Sequence, residues 1–199
     1  MTRSPIELGS PAALWSTTAV WAALQAAVFR EPGLGPIADG IAHLEDGGGS
    51  WFDLAPLPDG RASIVGFDRG VGDIDLQGRD DLIAAGAPAW WFVAPDPDIG
   101  HANFAYGYDG AAWTVVGHVD GLTVDEHYVD SASWILDYAQ ESYDAGADDG
   151  DDEYSGEEAD AQAAIDAGEY MDAALLRKLL PGDHVDVALG AVTAALYRR

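Results

Sequence analysis

Apolar residues follow a helical period near both ends of the chain and a two-residue period in its middle. Leu14, Trp21, Leu24 and Val28 recur at spacings of seven, three and four, which places them on one face of a helix. Ser10 suits the cap of that helix and Pro11 its first position, and Glu31-Pro32-Gly33 after Arg30 ends it. Ile37 to Leu44 predicts a second, shorter helix before the Gly47-Gly48-Gly49 stretch.

From Trp51 the pattern changes to strands. Trp51 to Ala55 and Ala62 to Phe67 flank the turn signal Pro58-Asp59-Gly60, which predicts a β-hairpin. Asp80 to Ala85 predicts one or two helical turns, broken by Gly86 and Pro88, and Trp90-Trp91-Phe92-Val93 a short buried strand stopped by Pro95 and Pro97. Phe104, Tyr106 and Tyr108 alternate up to Asp109-Gly110, and Trp113, Val115 and His118 continue beyond it as a second hairpin.

The expected fold is therefore α+β, with a mainly antiparallel sheet of about five strands and helices packed on one face. The first helix and three further ones, Ser131 to Tyr143, Tyr170 to Leu180 and His184 to Tyr197, supply the covering layer. In the last of these, Asp183 is the expected cap and Val185, Leu189, Val192 and Leu196 the apolar face, with Arg198 and Arg199 complementing the carboxyl-terminal dipole.

Composition narrows the function. A chain of 199 residues with 48% apolar content and seven Trp can organise one core, so a single domain over 1–199 is expected. Cysteine is absent, which removes disulfides, thiolate metal sites and cysteine nucleophiles. Thirty-five acidic against nine basic residues give a formal charge of −26, a field that repels phosphate backbones and anionic lipid and attracts a basic protein. The first residues, Met1 to Glu7, lack a basic patch leading into an apolar stretch, and the apolar runs are interrupted by Gly, Pro and Asp short of the roughly 18 residues that span a bilayer. These features lead us to expect a cytoplasmic protein that binds neither nucleic acid nor membrane.

The most distinctive segment runs from Asp137 to Asp160, rich in carboxylates and free of Lys and Arg, and its centre is expected to be flexible over about 144–160. Asp148, Asp149, Asp151, Asp152 and Glu153 are the candidate partner-binding carboxylates, and Tyr143 and Tyr154 bracket them as aromatic anchors for an Arg-rich surface. The same block also reads as a solvated connector between helices, or as a calcium site whose register departs from the Asp-x-Asp-x-Asp-Gly pattern.

Other chemistry is sparse. His43, His101, His118, His127 and His184 show no zinc spacing, and no cofactor or metal is expected. Neither the Gly-x-Ser-x-Gly elbow nor a phosphate loop occurs, and Gly66 to Gly72 leads into the acidic Asp73-Ile74-Asp75, which favours a turn over a nucleotide site. Trp90-Trp91 reads as sheet core, with an exposed Trp there marking an interface.

Asp59-Gly60-Arg61-Ala62-Ser63-Ile64-Val65-Gly66-Phe67-Asp68-Arg69, continued by Asp81-Leu82-Ile83-Ala84-Ala85-Gly86-Ala87-Pro88-Ala89-Trp90-Trp91, resembles a pattern in uncharacterised acidic bacterial proteins. In general character these are similar to the small immunity proteins that neutralise polymorphic toxins. The resemblance implies an α+β fold without catalytic motifs, and it does not reach the acidic segment.

Three functions follow as expectations. The first is a non-enzymatic inhibitor that occludes a basic toxin or effector domain, steered by its carboxylates. The second is a hydrolytic or metal-dependent enzyme in which His118, Asp120, Glu126 and His127 converge in a cleft. The third is a regulatory or scaffold module whose carboxylates are spread over a salt-adapted surface.

Overall fold

The structure, a computed structural model, describes residues 4–6, 8–30, 37–38, 40–45, 49–69, 76–93, 101–117, 131–146 and 154–198. The chain groups into two compact units. A sheet unit comprises Met1–Pro11 and Ile37–Val129, and a helical unit Ala12–Pro36 and Asp130–Arg199.

The α+β class and the antiparallel sheet agree with the alternation read from the sequence. Among the described residues seven strands are present: β1 (Ser4–Ile6), β2 (Ile37–Ala38), β3 (Ile41–Glu45), β4 (Trp51–Pro56), β5 (Ala62–Phe67), β6 (Phe104–Tyr108) and β7 (Trp113–Gly117). Their order is β1-β7-β6-β5-β4-β3-β2, and every neighbouring pair is antiparallel. Both expected hairpins form. At the first, Asp59 and Gly60 take left-handed φ of 64° and 73° inside a 3-10 turn, which is why Asp-Gly stands there. At the second, Asp109 Oδ1 accepts from the backbone N–H of Ala111 and Ala112 at 2.9 and 3.0 Å. Those two donors hold its carboxyl below the usual carboxylate range.

Three strands lie outside the expected set. Ile37 to Leu44 was expected to be helical, but it folds as β2 and β3 around Gly40, whose φ is 78°. Apolar residues at 37, 41 and 44 fit a helical face, yet Ala42 and Leu44 also alternate, and pairing of Ala42 with Leu54 and Leu44 with Phe52 satisfies the backbone across the sheet. β1 joins the opposite edge through β7, and Trp113 Nε1 donates to Gly9 O at 2.9 Å beside it.

Trp90 to Val93 was expected to be a strand and is not. Ala89–Trp91 is a 3-10 turn after Pro88, and Trp91 N–H donates to Pro88 O at 3.0 Å. Together with the helix α2 (Gly78–Ala84) this turn covers one face of the sheet. Leu82, Ala87, Trp91 and Phe92 pack there with Val65, Ala105 and Val116. Burial of a leucine such as Leu82, which is fully enclosed, stabilises by roughly 2 kcal/mol. The other face carries Leu54, Ile64, Tyr106 and Val115 abreast in register, all buried.

The helical unit contains α1 (Pro11–Phe29), α3 (Ser131–Gly146), α4 (Glu158–Ala167), a 3-10 turn at Gly168–Tyr170, α5 (Ala173–Leu179) and α6 (Val187–Ala195). Residues 14–24 of α1 are buried on nearly every side rather than along one stripe. Trp15 Nε1 donates to Tyr197 O at 2.9 Å, and the Trp21 ring lies 3.8 Å from that of Trp134 and 4.3 Å from that of Tyr138. By length and composition α1 could cross a membrane, which corrects the expectation that no stretch is long and apolar enough; 67% of that stretch is buried inside the fold.

The last helix also differs from expectation. Its cap is Asp186, whose Oδ1 accepts from Leu189 N–H at 2.9 Å, rather than Asp183. Its buried residues are Gly190, Thr193 and Ala194, while Val192 and Leu196 are exposed. A Cβ at Gly190 would sit 2.6 Å from Ala23 O, so glycine lets α6 seat closely on α1 and thereby decides which side turns inward.

Candidate functional site

Among the described residues of the helical unit, several exposed carboxylates lie on its helices or at their ends. Asp137 and Glu141 stand one turn apart on α3, Glu157 and Glu158 open α4, and Asp166 and Asp172 follow. Carboxylates at the start of α4 also complement its dipole. Asp172 caps α5, accepting from Leu175 N–H at 2.9 Å.

Basic side chains are few beside these carboxylates, nine against thirty-five in the whole chain, and five arginines among the described residues contact carbonyls or rings. Arg30 Nε donates to His184 O at 2.9 Å, Arg177 donates to Gly182 O, and Arg198 Nε donates to Glu169 O at 3.0 Å while lying over Tyr170. In the sheet unit Arg61 lies 4.9 Å from the centre of the Trp90 ring and Arg79 5.9 Å from that of Phe92. Lys178 does pair with a carboxylate, Asp160, at 3.2 Å, on an exposed surface where such a pair contributes little.

The residues singled out from the sequence fare differently. Asp148, Asp149, Asp151, Asp152 and Glu153 lie outside the described residues, and Tyr143 falls within α3 at a position whose side chain is not described. Tyr154 is half-buried, and its hydroxyl donates to Leu179 O at 2.8 Å. Burial, and then the Asp160 carboxylate, pushes its phenol up to about 12. Its ring packs over Gly156, where a Cβ would run into the phenol hydroxyl. Tyr154 is thus tied into the helical unit at the end of the acidic segment.

His118, Asp120, Glu126 and His127 also lie outside the described residues. Among the described residues no group of three or more His, Asp or Glu is placed to hold a metal ion. Trp91 is core, and Trp90 is half-buried beneath Arg61. Gly66 is required by packing, since a Cβ there would fall 2.4 Å from Trp51 O.

Sequence reading missed one pair. His43 Nδ1 and Asp53 Oδ1 are 2.7 Å apart across the β3–β4 register, and the His43 ring stacks toward Trp51 at 5.9 Å. Asp53 is buried, and His43 is the part-exposed member of the pair. Ten residues separate them, and only the correct strand assignment of Ile41–Glu45 brings them opposite each other.

Comparison of the chain with protein-family models, curated proteins and solved structures gives no match, so its functional reading rests on its own residues.

Proposed function

We propose that this chain is a non-enzymatic inhibitor of a basic protein, an immunity protein that binds and occludes a cationic toxin or effector domain in the cytoplasm. One observation carries the reading: among the described residues Arg30, Arg61, Arg79, Arg177 and Arg198 contact carbonyls or aromatic rings while carboxylates on α3 and α4 point to solvent, within a chain of net charge −26. Such a field speeds encounter with a cationic surface and repels anionic ones. The resemblance of residues 59–69 and 81–91 to uncharacterised acidic bacterial proteins, similar in general character to immunity proteins, is in keeping with it.

In this reading the carboxylates steer and a smaller desolvated surface holds. Rim charges alter association rate and salt dependence more than tightness, so two parts of the surface share the work. The acidic segment with Asp148, Asp149, Asp151, Asp152 and Glu153 acts as the docking arm, between Tyr143 and Tyr154.

The test is co-purification of the tagged chain with products of its neighbouring genes, followed by affinity measurements on the captured protein at about 50 and 300 mM salt. A basic partner whose activity is lost on binding, and whose affinity falls at least tenfold over that range, supports the reading. Binding indifferent to salt, or a partner that stays active in the complex, overturns it.

A further inference from the structure

We draw no further inference here: the strongest candidate, the exposed apolar face of α6 with Val192 and Leu196, carries nothing, because nothing in the structure shows what covers it and the exposed Arg198 beside it opposes the basic partner proposed above.

Discussion

The indole of Trp91 lies directly on the backbone at Gly107, so closely that a Cβ there would be 1.9 Å from Trp91 Nε1. A turn between α2 and β6 thereby docks onto the sheet through a position that carries no side chain. Gly107→Ala should destabilise the chain by about 3 kcal/mol, because neither the indole nor the strand can give way. In a Trp91→Ala background the same change should cost much less, since the obstacle is gone, and a double-mutant cycle in urea reads the difference directly. Additive losses would mean that the indole does not rest on Gly107.

His43 and Asp53 answer to the same method. His43→Ala leaves the buried Asp53 carboxylate without its imidazole and should cost about 1–2 kcal/mol, less than a fully buried pair because His43 is partly exposed. In an Asp53→Asn background the loss should shrink, as no buried charge is left behind. Equal losses in both backgrounds would show that the 2.7 Å contact contributes nothing to stability.

The start of α6 is decided by one side chain. Asp186→Ala should cost about 1 kcal/mol through loss of the Leu189 cap, and Asp183→Ala close to nothing. Thermal melts of the two variants side by side would reverse the assignment if Asp183 proved the more sensitive.

Alkaline pH tests the buried phenols. Burial raises Tyr138 and Tyr154 from 10.0 to about 12, and Tyr197 higher still. The fold therefore favours their neutral forms, a contribution fully present below pH 10 and lost as pH rises through 12. Tyr154→Phe should lower stability near neutrality by about 1 kcal/mol, for want of the Leu179 hydrogen bond, and should fall less steeply between those pH values. Urea midpoints as a function of pH, with absorbance near 295 nm following the phenolates, measure both effects. A wild-type curve as flat as that of the Phe variant would contradict the burial of the Tyr154 hydroxyl.

The sequence determined by itself what depends on near neighbours. Alternation around Pro58-Asp59-Gly60 and Asp109-Gly110 specified two hairpins, because left-handed turn residues and a two-residue period act within a few positions. The long first helix, the α+β class and the surplus of negative charge were legible for similar reasons. Of the proposed docking arm, the sequence placed Tyr154 beside carboxylates, while its bond to Leu179 O appears only in the fold.

What the tertiary structure decided is how apolar segments without a distinctive period are used. Ile37 to Leu44 suits either a helix or a strand, and pairing of β3 with β4 settled it, bringing His43 to Asp53 in the same step. Trp90 to Val93 reads as a strand until Pro88 bends it and Gly107 receives Trp91. α6 is apolar on all sides, so its pattern cannot say which side turns inward. Gly190 against Ala23 chose, because the closest approach goes to the side without a side chain, and that choice left Val192 and Leu196 facing solvent.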